Sequence, residues 1–132
     1  AINYTNKTQF LFRIQKGILD INDTGVNDYI KPENQRVPFR NMIYIGDSDT
    51  DIPCMSLVNA NGGHSIGVYD PFKKDKEKVY KMMRHHRIRY YAPADYSNGS
   101  KLDTLVKQII RKTAAYEVLE GEYIHCKYEA EE

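Results

Sequence analysis

The spacing of apolar residues predicts an amphipathic helix near the start of the chain. Asn6 and Gln9 fit the two polar positions of a capping box, so we expect this helix to begin near Asn6. Residues 22–25, which include a glycine, are expected to end it. Residues 26–40 contain two prolines and predict an irregular connection. The apolar positions recur at the intervals of one helical face: Phe10, Leu11, Ile14, Ile18 and Ile21.

Three short apolar segments downstream predict strands that alternate with helices. Residues 42–45 form an uninterrupted apolar run, which is typical of a strand covered on both faces. Residues 65–69 and 88–91 are expected to form the second and third strands. Helices are expected between them, at residues 52–59 and 73–84. This alternation indicates an α/β fold: a partial three-layer, Rossmann-like parallel sheet with helices on both faces.

The last third of the chain predicts one more helix and a tail. Residues 92–100 are rich in turn-forming residues and are expected to form a loop. The tail from Glu117 is acidic and is expected to be partly frayed. We therefore divide the chain into an α/β portion, residues 1–116, and an acidic tail, residues 117–132. The apolar positions of the last helix are Leu102, Leu105, Val106, Ile109 and Ile110.

The predicted sheet is incomplete. Only three strands are well marked, and a strand that is apolar throughout needs a neighbour on each edge. An unpaired strand edge is a template for association with another chain. We therefore expect that one or more N-terminal strands are missing, and that the chain can self-associate through the exposed edge.

Composition narrows the class of protein. The chain has 132 residues, is 41% hydrophobic and carries a net charge of +1, which is ordinary for a globular protein. Nothing in this charge favours a nucleic acid or a membrane as partner, and no apolar run approaches the roughly 20 residues that cross a bilayer. Cys54 and Cys126 lie far apart and outside any CxxC spacing. We expect reduced thiols and a cytoplasmic location.

The first predicted strand runs directly into an acidic loop. Asp47, Asp49 and Asp51 alternate within five residues after Gly46. Ligands of open α/β sheets gather at the carboxyl ends of the strands, and glycine allows a sharp turn and a close approach there. Carboxylate oxygens suit Mg²⁺, which takes one or two of them together with waters or phosphate oxygens. The loop therefore predicts a metal or phosphate site.

Two other interpretations of the loop compete with this one. An EF-hand also opens with alternating aspartates, but Ile52 and Val58 stand where that loop needs a glycine and a glutamate. Asp49 or Asp51 could simply cap the following helix. Capping accounts for one aspartate and leaves the other two without a reason.

The residues around this loop resemble the haloacid dehalogenase (HAD) superfamily of phosphatases. An apolar run followed by Gly46-Asp47-x-x-x-Asp51 and an apolar helix is similar to the fourth motif of that family. Lys7, in the first turn of the preceding helix, matches the lysine of the third motif. Residues 62–71, GGHSIGVYDP, resemble the strand and turn that follow in phosphoserine-phosphatase-like members. The resemblance covers roughly residues 3–115.

The resemblance implies Mg²⁺-dependent hydrolysis of a phosphorylated small molecule through an aspartyl-phosphate. Asp47 would be a ligand of Mg²⁺, and Asp51 would support the metal shell or hold Lys7. Lys7 would neutralise the phosphoryl oxygens as a catalytic residue. A cation in the first turn of a helix opposes the helix dipole, and such a local conflict is expected at functional positions.

The nucleophile motif of the family is absent. That motif, D-x-D-x-T/V, follows an N-terminal strand, whereas Asp49-x-Asp51, which has the D-x-D spacing, lies inside the fourth motif and follows Asp47 rather than a strand. The chain is therefore interpreted as the C-terminal part of such a phosphatase, inactive alone. Two alternatives stay open: a non-catalytic module that binds Mg²⁺, phosphate or a protein partner, and nucleic-acid binding through the basic residues 73–91. Because acidic residues interrupt the basic ones, a solvated helix face is favoured there over a nucleic-acid surface.

Overall fold

The computed structural model describes residues 4–17, 35–73 and 75–131, with side chains from Lys7 onward. Two short 3-10 turns, Phe39–Asn41 and Asp49–Asp51, lie before β1 and before α2. The helices are α1 (Tyr4–Lys16), α2 (Ile52–Ala60), α3 (Glu77–Arg84) and α4 (Lys101–Ala130), and the strands are β1 (Ile43–Gly46), β2 (His64–Tyr69) and β3 (Tyr90–Pro93).

The three strands form one parallel sheet in the order β1-β2-β3. Ile43 pairs with His64 across the first pair of strands, and Ile66 pairs with Tyr90 across the second. The predicted α/β fold is confirmed as a three-stranded parallel sheet flanked by helices, consistent with part of a Rossmann-like fold. Because all three strands run the same way, their carboxyl ends lie at one edge of the sheet.

Helices α2 and α3 pack on the same sheet face. The Ser65 hydroxyl donates a hydrogen bond of 2.7 Å to the Met55 carbonyl, which ties β2 to α2. Gly67, also on β2, leaves room for apolar side chains, since a Cβ there would lie 2.9 Å from Ile88 Cδ1. One buried cluster fills this layer: Met55, Val79, Met82 and Ile88.

A second buried cluster joins α1 to α2. Leu11 of α1 packs with Cys54 and Val58 of α2, and Phe39 and Met42 complete the cluster. The predicted apolar face of α1 is correct only for Leu11: Phe10 and Ile14 are 40% and 42% exposed, because Leu11 is the described α1 residue that packs in this cluster. The same packing holds the first turn of α1 close to the loop between β1 and α2.

The limits of α1 differ from the prediction. The helix begins at Tyr4, so Asn6 lies within it and is not the N-cap. It ends at Lys16, because Gly17 adopts a φ of 74°, the left-handed conformation that closes helices. Ile18, Ile21 and most of the predicted connection lie outside the described residues.

Three other predictions need correction. Residues 43–45 of β1 are only half-buried, because within the described part of the chain β1 pairs with β2 alone. The segment from Glu117 is helical to Ala130 rather than frayed, since it contains no proline and several strong helix formers. The third strand begins at Tyr90, and Ile88 is instead a buried residue before it.

The chain divides into two compact units, Ala1–Asp95 and Tyr96–Glu132. The first contains the sheet with α1, α2 and α3. The second is dominated by α4, whose N-cap Ser100 accepts a 3.1 Å hydrogen bond from the backbone N–H of Asp103. The predicted division after residue 116 falls within α4. No helix in the described ranges combines the length and the apolar character needed to span a bilayer.

We expect Val58→Ala to destabilise the protein by about 2 kcal/mol, because the lost methyl groups leave a cavity in the α1–α2 cluster. Val58 is 0% exposed, whereas Val118 of α4 is 73% exposed. The matched change Val118→Ala should alter the free energy of unfolding by less than about 0.5 kcal/mol. Urea unfolding of both variants measures the difference, and equal effects would contradict the described burial.

Candidate functional site

The site lies at the carboxyl end of β1, where the strand gives way to the acidic loop. Gly46 ends the strand, Asp47 and Ser48 follow, and the short 3-10 turn Asp49–Asp51 leads into α2. Pro53 occupies the first turn of α2, where its missing N–H costs nothing. Of the three aspartates, only Asp51 is buried, with 8% of its surface exposed.

The Asp51 carboxylate is the centre of a hydrogen-bond network. Its Oδ1 accepts from Lys7 Nζ at 2.9 Å and from the Tyr44 hydroxyl at 2.8 Å. Its Oδ2 accepts from the backbone N–H groups of Asp47 and Ser48, at 3.2 and 3.3 Å, and from Ser48 Oγ at 3.0 Å. Both oxygens are therefore satisfied, and one side chain links α1, β1 and the loop.

Gly46 makes room for this carboxylate. A Cβ built at position 46 would lie 2.7 Å from Asp51 Cβ and 2.8 Å from its Cγ, closer than side chains approach one another. The glycine is therefore required because the Asp51 side chain folds back over the end of the strand.

The network keeps Asp51 ionised. Burial alone would raise the pKa of its carboxyl, but the hydrogen bonds from Lys7, Tyr44 and Ser48 outweigh burial and lower the pKa to about 2. Burial, and then the hydrogen bond to Asp51, raise the pKa of Tyr44. At neutral pH the Tyr44 hydroxyl is thus a hydrogen-bond donor to a charged carboxylate. Such a hydrogen bond is stronger than one between two neutral groups.

Lys7 reaches the loop from the fourth residue of α1. Besides its ion pair with Asp51, its Nζ donates to Thr50 Oγ1 at 3.2 Å. Its side chain is 26% exposed, so part of it is accessible from solvent. The carboxylate offsets the unfavourable position of this cation near the positive end of the helix dipole.

Asp47 and Asp49 point their charges away from the network. Asp47 is exposed, although its backbone N–H is held by Asp51, and it lines a groove along the edge of the sheet. Asp49 lies 3.4 Å from Lys78 Nζ in an ion pair on the surface. The three aspartates therefore occupy different environments despite their regular spacing.

The donor set suits Mg²⁺ in part. No group of three or more potential metal-ligating side chains occurs within residues 4–17, 35–73 and 75–131. Mg²⁺ needs only one or two carboxylates when waters and phosphate oxygens complete its shell, and the exposed Asp47 can supply one. Asp51 could coordinate the ion only by giving up one of its present partners. The geometry matches its alternative role of holding Lys7, and its role as a ligand stays a prediction.

The structure brings together the residues that the sequence singled out, and it adds others. Lys7 and Asp51 are in contact, and Asp47 lies four residues from Asp51 on the same loop. The added residues are Tyr44 and Ser48, which the sequence alone did not assign to the site and which donate hydrogen bonds to Asp51. Tyr44 could have been found from its place in a short, apolar strand, because a tyrosine hydroxyl needs a hydrogen-bond partner there.

Comparison with known proteins shows one distant similarity. An uncharacterized protein of Borreliella burgdorferi is 26% identical to this chain over 101 residues. The match includes 76% of this chain and 34% of that protein, so the chain spans about a third of the length of its relative. No protein-family model matches the chain. No solved structure matches it either.

We expect Gly46→Ala to destabilise the protein by about 1–3 kcal/mol, because the new methyl group overlaps the Asp51 side chain. For Gly121, in the interior of α4, no atom beyond its chain neighbours and the nearby backbone of its own helix lies within 4 Å of the position that a methyl group would take. Gly121→Ala should therefore be neutral or stabilising by up to about 1 kcal/mol. Denaturant unfolding compares the stabilities of the two variants. A Gly46→Ala variant as stable as the parent would refute the close approach of Asp51 to Gly46.

Proposed function

We propose that this chain is the C-terminal portion of a Mg²⁺-dependent, HAD-like phosphatase that hydrolyses a phosphomonoester through an aspartyl-phosphate. The observation that carries this proposal is the contact between Lys7 Nζ and Asp51 Oδ1. The two residues are 44 positions apart in sequence and 2.9 Å apart in space. They meet at the carboxyl end of a strand, beside the exposed Asp47, as the resemblance to that superfamily requires.

Lys7 would stabilise the charge of the phosphoryl group. An ammonium group has three N–H donors, and the described contacts of Lys7 use two of them, on Asp51 and Thr50. The third can reach a phosphoryl oxygen. Because Asp51 stays ionised, it holds the Lys7 ammonium group in place, and phosphoryl transfer depends mainly on such positioned charges.

Asp47 would hold Mg²⁺ through its exposed carboxylate. When bound, the ion would neutralise negative charge on the phosphoryl oxygens. The hydrogen bond from the Asp47 backbone to Asp51 fixes the start of the loop, so the same carboxylate orients both Asp47 and Lys7. The three residues would thus act as one unit.

The nucleophile would come from a part of the protein beyond this chain. Within the described sheet β1 has a neighbour on one side only, and a further parallel strand beside it would end next to Asp47 and Lys7. Such a strand, followed by D-x-D-x-T/V, would supply the attacking aspartate. On this proposal the isolated chain is inactive, and its open strand edge can instead mediate self-association.

We further propose a small phosphorylated molecule as substrate, rather than a nucleic acid or a membrane surface, and a cytoplasmic location. Cys54 and Cys126 are both free thiols, which supports a reducing compartment.

A second candidate is a non-catalytic module that binds Mg²⁺, phosphate or a protein partner. The observation in its favour is that Asp51 satisfies both oxygens with residues of the chain itself, as a purely structural carboxylate would. Turnover by the complete protein distinguishes the two candidates.

In the complete protein, Asp47→Asn should abolish Mg²⁺-dependent hydrolysis of phosphomonoesters. Loss of a ligand should exceed the roughly 10- to 100-fold cost of losing a residue that only orients one. Asp49→Asn is the matched control, because Asp49 makes a surface ion pair outside the network, and it should keep activity within a few-fold of the parent. Full activity of Asp47→Asn would refute the metal assignment. A complete protein inactive towards every phosphomonoester would favour the non-catalytic module.

A further inference from the structure

An open groove of about 540 Å³ lies along the carboxyl edge of the sheet. Residues that follow each strand line it: Asp47 after β1, Asp70 after β2 and Ala94 after β3. This is the edge where parallel α/β sheets bind ligands, and the volume falls within the roughly 300–1,000 Å³ of small-molecule sites. Because Asp47 forms part of its wall, the groove is continuous with the proposed metal site.

Three lysines line the groove: Lys73, Lys76 and Lys78. Lys76 Nζ lies 5.1 Å from the centre of the Tyr69 ring, in a cation–π contact. Lys78 pairs with Asp49 at 3.4 Å. Lys73 is exposed on the loop that follows β2.

Besides Asp47, which is assigned to Mg²⁺, two acidic residues line the groove, and each is hydrogen-bonded to its own loop. Asp70 accepts a 2.9 Å hydrogen bond from the backbone N–H of Phe72, and Asp75 accepts one of 2.9 Å from that of Glu77. Each of these short side chains has one carboxylate oxygen bonded to its own loop, whereas the long lysine stems can extend farther into the groove. An incoming ligand would therefore meet the lysine ammonium groups.

The walls also offer apolar contact. Val68 and Val79 line the groove, and Phe72 stands beside it with 94% of its surface exposed. A short carbon chain could pack there while a charged end reaches the lysines.

We propose that this groove binds the leaving group of the substrate, and that Lys73 and Lys76 select a leaving group that carries its own negative charge. The substrate class is thus a phosphomonoester with a second anionic group, either a carboxylate or another phosphate. This inference rests on the proposed function for the position of the transferred phosphoryl group at Asp47 and Lys7.

Three phosphomonoesters with the same short carbon chain test, in the complete protein, whether the groove selects an anionic leaving group. They are 3-hydroxypropyl phosphate, 2-carboxyethyl phosphate and propane-1,3-diyl bisphosphate, which end in a hydroxyl, a carboxylate and a phosphate. We expect kcat/KM to be higher for the two anionic compounds. Lys73→Gln and Lys76→Gln should each lower it about fivefold for those compounds, mainly through KM, and leave the hydroxyl compound unchanged. The difference between carboxylate and phosphate identifies which anion is preferred.

Lys81→Gln is the control, since Lys81 is an exposed lysine of α3 that does not line the groove. Equal kcat/KM for all three compounds, or equal losses in the lysine variants with all three, would overturn the inference. The backbone amide resonances of Phe72 and Lys73 provide a readout that is independent of turnover. If no compound is hydrolysed but these resonances shift only with the anionic pair, the proposed function fails and the anionic groove stands. If they shift equally with all three or not at all, the groove assignment fails.

Discussion

The buried carboxylate of Asp51 is the interaction on which the rest of the site depends. It receives a cation from α1, a hydroxyl from β1 and two backbone N–H groups from the loop. A charge so nearly removed from water is tolerated only when its oxygens are paired, so each partner is needed to keep the others in place. The network thereby fixes the conformation of the acidic loop.

This constraint separates the roles of residues that look alike in the sequence. Asp51 is internal and structural in its contacts, whereas Asp47 remains exposed on the wall of the groove. In the proposed phosphatase, Asp51 holds the loop and Lys7 in position, and Asp47 binds Mg²⁺. The groove then extends the site along the edge of the sheet, from the position of the phosphoryl group towards Lys73 and Lys76.

Apolar patterning predicted the α/β fold and the three strands, because strands inside a sheet need apolar side chains. It was wrong about most of the buried face of α1, where Phe10 and Ile14 are exposed. It could not locate the end of α1, where a single glycine at positive φ overrode the apolar spacing. Lys7 and Asp51 were identifiable from motif order, but the hydroxyl of Tyr44 was not, since its partner is set by the three-dimensional approach of the loop. The groove is lined by residues from the ends of three strands, and no local sequence pattern predicts such a surface.

The most direct test is the titration of the Asp51 carboxyl, followed by NMR of its ¹³C resonance. The network predicts a pKa of about 2, well below its ordinary value of 3.8. Because the pKa of Asp51 is lower in the folded protein than in the unfolded chain, ionised Asp51 stabilises the fold. This stabilisation is complete above about pH 4 and is lost as pH falls through about 2. The shift contributes about 2 kcal/mol to the free energy of unfolding at neutral pH. Lys7→Met should raise the pKa, because it removes the ion pair. A carboxyl that titrates at 3.8 or above in the parent protein would contradict the central role given to Asp51.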